Sequence, residues 1–276
     1  MSTSESASEA TGFPISQQQR YVFVAFSSVT FWTSIELVIL CLATFKRYKG
    51  VYFWSLLLSS CSISVNTLGF IFFFFVRVTP YFSVTLILLG WYFMVTGHSV
   101  VLWSRLHFVL QQPTLLRAIL YLIIANAICM HIPVTVLLYG AVLPSLDIQT
   151  RIRTGGFSTG YNIMERIQLV VFCLQEWLLS MIYIYETYKL LRIRPQQPTH
   201  AHKVILTQLI VINIVLLFLD IVVVVFEYAG LFWLQVVFKP VAYAVKLRLE
   251  YAILGRLVEV ATTGGSNRSS WMFFFL

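Results

Sequence analysis

Ionisable side chains interrupt several long apolar stretches of this sequence. The five that matter most are Glu36, Glu176, Asp220, Glu227 and Lys239. A charge at the centre of a bilayer costs about 2.5–3.5 kcal/mol on insertion scales, so such groups face the interior of a helix bundle and find partners there. They then act as ion pairs that fix helix register, as a ligand pocket, or as a relay for protons or ions. The sequence leaves these roles open.

Polar residues share one face of each of the last three apolar stretches, at spacings of about four or seven residues. The three stripes are Glu165, Gln168, Glu176, Ser180 and Tyr183; Asn213, Asp220 and Glu227; and Gln235, Lys239 and Tyr243. A tight turn at Gly230 makes the last two stretches neighbours, and Asp220 and Lys239 both lie about 12 Å from it. We therefore predict an Asp220–Lys239 ion pair, with Glu176 somewhat deeper in the same polar interior.

Two prolines lie within predicted helices. Pro133 and Pro240 each remove a backbone hydrogen bond and bend their helix. Each is either a static bend or a hinge that lets the helix ends move.

Lys239 also offers a different chemistry, because a lysine in a seventh helix is where retinal proteins carry their chromophore as a Schiff base. Microbial retinal proteins place carboxylates in the third span, and this third span has none, which disfavours retinal as a cofactor. His98 and His131 are too few for a metal-dependent lipid hydrolase, and no paired aspartates suggest a protease. We therefore predict no enzymatic activity and no metal site.

The composition of the chain indicates that these charged residues belong to a membrane protein. Of 276 residues, 59% are hydrophobic and 11% are charged, whereas soluble domains carry about 25% charged residues. The net charge of +8 lies mostly in short loops between apolar runs, so it indicates topology and not a nucleic-acid partner. The sequence predicts an all-α bundle of seven transmembrane helices, at residues 22–45, 51–76, 81–103, 118–143, 164–188, 204–228 and 231–252.

The tails and loops define the predicted topology. The loops containing Lys46, Arg117 and Lys189 are richest in Lys and Arg, which predicts a cytoplasmic C-terminus and an extracellular N-terminus. Residues 1–20 are predicted to be a disordered outer tail, and residues 144–163 a flexible outer loop. Residues 254–276 form the predicted cytoplasmic tail, which follows a short amphipathic helix on the inner leaflet. No role is assigned to the apolar end at residues 271–276.

Several short motifs resemble those of a known family. They are Phe31-Trp32-Thr33-Ser34-Ile35-Glu36, Ser104-Arg105-Leu106-His107, Phe238-Lys239-Pro240 and Lys246-Leu247-Arg248-Leu249-Glu250. Over residues 20–260 the chain resembles fungal seven-span integral membrane proteins of unknown function, which are distantly similar to fungal G-protein-coupled-receptor-like proteins. Lys239-Pro240-Val241-Ala242-Tyr243 resembles the Asn-Pro-x-x-Tyr motif of rhodopsin-like receptors. Arg105 lies where those receptors carry Asp-Arg-Tyr, so the resemblance implies Arg105 and Tyr243 as cytoplasmic coupling residues.

These observations predict a receptor-like sensor with a polar site between spans five, six and seven. Its expected partners are the lipid bilayer, a small extracellular ligand and a cytoplasmic signalling protein, and its expected location is the plasma membrane. The alternative is a secondary transporter or proton pathway that uses Glu36, Glu176, Asp220 and Lys239 as a relay. A retinal photoreceptor is the third alternative.

Overall fold

The computed structural model describes residues 17–45, 50–76, 79–110, 112–142, 148–193, 200–230 and 232–263. Within these ranges the regular structure is entirely helical. The helices are α1 Gln17–Thr44, α2 Val51–Phe74, α3 Pro80–Val109, α4 Pro113–Val142, α5 Ile148–Ile193, α6 His200–Tyr228 and α7 Phe232–Thr263.

The first six helices, α1 to α6, are each long and apolar enough to cross a bilayer. Their outer faces carry large apolar side chains such as Trp32, Tyr121 and Phe218, whereas serine, asparagine and charged side chains are buried inside. Water would disfavour this inverted distribution, but lipid favours it. The chain therefore has the character of a multi-pass helical membrane protein.

Helix α7 differs from the other six because of its charges. It is 32 residues long, and Lys239, Lys246 and Glu250 lie within it. All three side chains are buried in the bundle. These three charges of α7 are therefore directed into the bundle, whereas Arg248 of the same helix is about half exposed.

The helices pack around α3, which contacts α2, α4, α5 and α7. Helix α7 also packs on α1, α2 and α6, so it closes the bundle between the first and sixth helices. The turn from α6 to α7 uses Gly230, whose φ of 69° lies in the left-handed region that glycine tolerates. This agrees with the tight turn predicted from the sequence.

The most extensive helix pair is α2–α3, and small residues permit its close approach. A methyl group added at Gly90 would overlap the backbone of Asn66, and one added at Gly69 would lie 2.7 Å from the backbone nitrogen of Ile87. The Asn66 side-chain amide donates to the Ile87 carbonyl at 3.0 Å. We call this contact between α2 and α3 the glycine interface.

The predicted flexible loop at residues 144–163 is wrong, because α5 already begins at Ile148. Glycines in a helix cost up to about 1 kcal/mol each, which suggested a loop. Packing outweighs that cost here: the Phe157 ring lies directly against Gly140 of α4, and Leu137 contacts the position of Gly160. Local propensity was overridden by contacts that the sequence does not display.

Two predicted features of the ends also change. Residues 17–20, which were assigned to a disordered tail, are the first turn of α1. The predicted amphipathic helix after residue 252 is not a separate element, because α7 continues unbroken to Thr263. Residues 1–16 and 264–276, including the apolar end, lie outside the described residues.

Candidate functional site

Buried charged side chains and their polar and aromatic neighbours form three layers in the bundle, and on α3 and α6 the successive layers are seven residues apart. Helix α3 contributes Trp91, His98 and Arg105, while α6 contributes Glu227, Asp220 and Asn213 in the opposite order. Seven residues are two helical turns, or about 10 Å, so residues on the same face of a helix reach successive levels. We name the layers after their cations: the Lys239 layer nearest Gly230, the Lys246 layer in the middle, and the Arg105 layer.

The Lys239 layer contains one lysine and two acids. The Lys239 Nζ lies 3.0 Å from Glu165 Oε1 and 3.8 Å from Glu227 Oε2, and 5.0 Å from the centre of the Trp91 ring. The Gln235 amide donates to both acids. On the surface side, Arg166 Nε lies 3.6 Å from Glu227 and is about half exposed. This layer is therefore paired inside the bundle and open at its edge.

The Lys246 layer is more deeply buried. Lys246 donates to Glu176 Oε2 at 2.7 Å and also to Asp220 Oδ1. The Tyr243 hydroxyl donates to the other Glu176 oxygen at 3.2 Å, and the Lys246 ammonium lies 4.5 Å from the centre of the Tyr243 ring. His98 completes the layer, with Nε2 at 3.8 Å from Glu176 Oε2. One cation thus joins α7 to acids on α5 and α6.

The Arg105 layer connects four helices through one guanidinium. Arg105 of α3 donates to Glu250 of α7 at 2.6 Å and to Asn213 of α6 at 2.8 Å. Its Cζ lies 4.3 Å from the ring centre of Tyr183 on α5. Glu250 and Asn213 are fully buried, and Arg105 is nearly so. Charged hydrogen bonds in such a site are strong and geometrically specific.

A neutral network connects α3, α4 and α5 beside these layers. His131 of α4 contacts Thr96 of α3 through Nε2 and Gln168 of α5 through Nδ1, both at 2.9 Å. Farther along, Asn126 donates to Gln175 at 2.8 Å. These contacts hold the three helices in register without formal charge.

The predicted Asp220–Lys239 ion pair is wrong. Asp220 pairs with Lys246, and Lys239 pairs with Glu165 and Glu227. The reason is the tilt of helical side chains toward the N-terminus of their own helix. In the antiparallel α6–α7 hairpin, Asp220 leans away from Gly230 whereas Lys239 leans toward it. Each acid on α6 therefore pairs with a lysine that lies farther from Gly230 along α7 than the acid lies from Gly230 along α6. Glu227 pairs with Lys239, and Asp220 pairs with Lys246.

The other predicted residues are distributed over the layers. Glu176, Asn213, Gln235 and Glu227 all lie in the polar interior, as described above. Tyr243 was expected at a cytoplasmic end but lies in the Lys246 layer. Arg105 lies in the last two turns of α3 and is paired with Glu250 inside the bundle, and its coupling role stays a prediction.

Glu36 does not join the predicted relay. It pairs with Arg248 at 2.9 Å between α1 and α7, and both side chains are substantially exposed.

The two prolines lie in different surroundings. Pro133 lies inside α4, and Pro240 lies inside α7 beside a small crevice that α1, α2 and α7 enclose. The buried Ser27 hydroxyl faces this crevice and has no hydrogen-bond partner among the described residues. Neither helix is interrupted at its proline.

Four residues of the layers were not among the predicted site residues: His98, Glu165, Lys246 and Glu250. Glu165 was recognised only as part of the polar stripe of the fifth stretch, and Lys246 and Glu250 lay near the end of the predicted span 231–252 without a predicted partner. A signal was present, because Lys239 and Lys246 repeat at seven residues and match Glu227 and Asp220 on α6. Trp91, His98 and Arg105 show the same spacing on α3.

The chemistry available to these layers is ionic. Among the described residues no group of three or more His, Cys, Asp or Glu side chains is arranged to hold a metal ion. The layers can exchange protons, bind a charged ligand group, or switch ion-pair partners.

Comparison with known proteins assigns the chain to a family. It matches a domain of unknown function (DUF7703) over residues 10–269, and it therefore belongs to that family. No curated protein and no solved structure matches the sequence. The family description gives neither a ligand nor a reaction.

Proposed function

We propose that this member of the DUF7703 family is a receptor-like sensor that signals across a membrane through its ionic layers. The observation that carries the proposal is Arg105, a single buried side chain that contacts α5, α6 and α7 from α3. A transducer needs a contact that holds helix ends in one arrangement and releases them in another. Arg105 has that geometry.

In this proposal α7 is the seventh span, and the N-terminus is extracellular. The charges of α7 do not bar it from lipid, because Lys239, Lys246 and Glu250 are buried and paired. The distribution of Lys and Arg among the loops favours a cytoplasmic Arg105 end and an extracellular Gly230 end. The plasma membrane is the proposed location.

The Lys239 layer is the proposed point of ligand entry. It is the layer nearest Gly230, and Glu165 and Arg166 leave it partly exposed at its edge. A small extracellular ligand with a charged group would compete for Lys239 or its acids and so bind one arrangement more tightly. Helices α5, α6 and α7 each contribute to all three layers. A movement of these helices at the Lys239 layer therefore also moves the partners of Arg105.

A distance measurement tests this role of Arg105. The experiment places one spin label at Leu115 on α4 and one at Gln208 on α6. Both residues are exposed, and both lie toward the Arg105 end of the bundle. We expect one narrow distance distribution in the parent protein. Arg105→Gln is expected to broaden it or lengthen it, because α6 and α7 lose their tie to α3.

The control is Lys189→Gln, which removes a charge from an exposed side chain of α5. Native Cys61, Cys129 and Cys173 are replaced by alanine in all samples so that labelling is specific. A distribution that stays narrow in Arg105→Gln, with the control also unchanged, would reject Arg105 as the tie.

A second candidate is a proton or ion pathway, as in a secondary transporter. The specific observation in its favour is that three charged layers follow one another along the bundle, about 10 Å apart. Proteoliposomes carrying a pH-sensitive dye distinguish it. Proton flux that depends on Lys246 supports a pathway, whereas tight liposomes under a pH gradient support the sensor.

A further inference from the structure

The charges of the Lys246 layer do not balance. Two carboxylates, Glu176 and Asp220, face one ammonium, Lys246. The three side chains are 1% to 8% exposed, so water cannot screen the excess negative charge. A buried uncompensated charge is strongly unfavourable, and the layer therefore calls for one additional positive charge.

The side chains around this layer are His98 from α3, Cys173 and Glu176 from α5, Asp220 from α6, and Tyr243 and Lys246 from α7. Of these, only His98 could add a second positive charge, and its complete burial disfavours the charged form of the imidazole. The cations of the two neighbouring layers are already paired, Arg105 with Glu250 and Lys239 with Glu165. The imbalance is thus confined to the Lys246 layer.

His98 gives an independent indication of what is bound. Its side chain is fully buried, and neither ring nitrogen has a hydrogen-bond partner among the described residues. Nε2 lies 3.8 Å from Glu176 Oε2, which is too long for a hydrogen bond. In the tautomer that carries its hydrogen on Nδ1, Nε2 is an acceptor, and an ionised carboxylate has no hydrogen to donate to it. A protonated Glu176 would offer one. The same proton would balance the charge and satisfy His98.

We propose that the Lys246 layer is a proton-binding site that takes up one proton between Glu176 and Asp220. The two carboxyl groups lie on either side of one ammonium, because both accept hydrogen bonds from Lys246 Nζ. On binding, the O–H bond forms on one carboxyl oxygen, and the net charge of the layer changes from −1 to 0. His98 accepts a hydrogen bond from the protonated Glu176 and holds the proton on that side.

A proton fits this site better than a metal ion. The Lys246 Nζ already occupies the point between the two carboxylates, where a cation would sit. No metal-holding group of three side chains occurs in the described part of the chain.

Protonation has a structural consequence. It weakens the hold of Glu176 or Asp220 on Lys246, and this loosens the tie of α7 to α5 and α6. The inference goes beyond the proposed function, because the site binds a proton whether or not the protein signals.

Infrared spectroscopy of the purified full-length protein in lipid nanodiscs tests the proposal. A protonated carboxylic acid has a carbonyl stretch that is separate from the amide bands and shifts in heavy water. We expect this band in the parent protein at neutral pH, and we expect it to disappear as the pH is raised and the proton leaves. We expect Asp220→Asn and Glu176→Gln each to abolish it, because a single remaining carboxylate stays ionised beside Lys246.

His98→Leu separates the role of the imidazole from that of the acids. It removes the acceptor for the protonated Glu176, so the midpoint of the band is expected to move to lower pH. Glu36→Gln is the matched control, because it neutralises an acid outside the layers and should leave the band unchanged.

The outcomes are distinct. Absence of the band in the parent protein, or its persistence in both Asp220→Asn and Glu176→Gln, would overturn the proposal. If one of these two variants does not fold, the other still tests the proposal, because each substitution alone removes the excess negative charge. Arg105→Gln should leave the band in place, so failure of the sensor proposal and failure of the proton site give different results.

Discussion

The glycine interface and the ionic layers hold the bundle together in opposite ways. At the glycine interface the backbones of α2 and α3 nearly touch, and Asn66 and Ser59 donate to backbone carbonyls of α3. In the layers, the long side chains of Lys246 and Arg105 each donate hydrogen bonds to acceptors on two other helices. Close backbone packing permits one arrangement, whereas shared ion pairs permit more than one.

This difference distinguishes a closely packed pair of helices, which we call the frame, from the helices that share ion pairs. Helices α2 and α3 supply the frame, and α3 also carries His98 and Arg105 toward the layers. Helices α5, α6 and α7 join the frame through charged side chains and also through apolar clusters, such as the one that contains Leu106, Leu179 and Leu216. Substitutions in the two regions should therefore differ in size and in kind.

The largest effect is expected from removing the cation of the middle layer. Lys246→Met leaves Glu176 and Asp220 buried together, and loss of one partner from a buried ion pair costs about 3–5 kcal/mol. Titration with sodium dodecyl sulfate in mixed micelles measures the free energy of unfolding. Lys189→Met is the control, because Lys189 is about half exposed and should change stability little. A loss below about 1 kcal/mol for Lys246→Met would contradict the account.

An intermediate effect is expected in the glycine interface. Gly90→Ala places a methyl group against the backbone of Asn66, and overpacking of this kind costs about 1–3 kcal/mol. Gly156→Ala is the matched control, because a methyl group there meets nothing within 4 Å. The same unfolding titration compares them. Equal stability of the two variants would show that α2 and α3 are less tightly packed than described.

The smallest effect is expected in the neutral network. Thr96→Val keeps the side-chain shape and removes the hydrogen bond to His131 Nε2. Hydrogen bonds between membrane helices contribute about 0.6 kcal/mol on average, so the free energy of unfolding should fall by about that amount. Ser28→Ala, which removes an exposed bond within α1, provides the baseline. A loss as large as that of Lys246→Met would place this network among the main ties of the bundle.

The sequence revealed the polar faces of the bundle but not their partners. The seven-residue spacing of Asn213, Asp220 and Glu227 correctly places them on one inward face, because helical periodicity is a local property. Their partners depend on side-chain tilt and on helices far away in sequence. Arg105 and Glu250, for example, are 145 residues apart.

The C-terminal part of the bundle shows a second limit. Lys246, Arg248 and Glu250 lie near the end of the predicted span 231–252, and the sequence indicated no buried partner for them, because apolar length is the main sequence signal for a span. The structure buries Lys246 and Glu250 against acids and cations on α3, α5 and α6. A charged residue with a buried partner can lie within a helix of the bundle. The hydropathy profile of one sequence does not show which residues become partners.

The most direct test of the layered architecture is a mutant cycle on the Lys246 layer. Free energies of unfolding are measured for the parent, for Lys246→Met, for Glu176→Gln with Asp220→Asn, and for all three substitutions together. We predict that Lys246→Met costs about 3 kcal/mol or more in the parent and far less once both acids are neutral. If the cost of Lys246→Met is the same in both backgrounds, within about 0.5 kcal/mol, Lys246 does not pair with these acids and the account is contradicted.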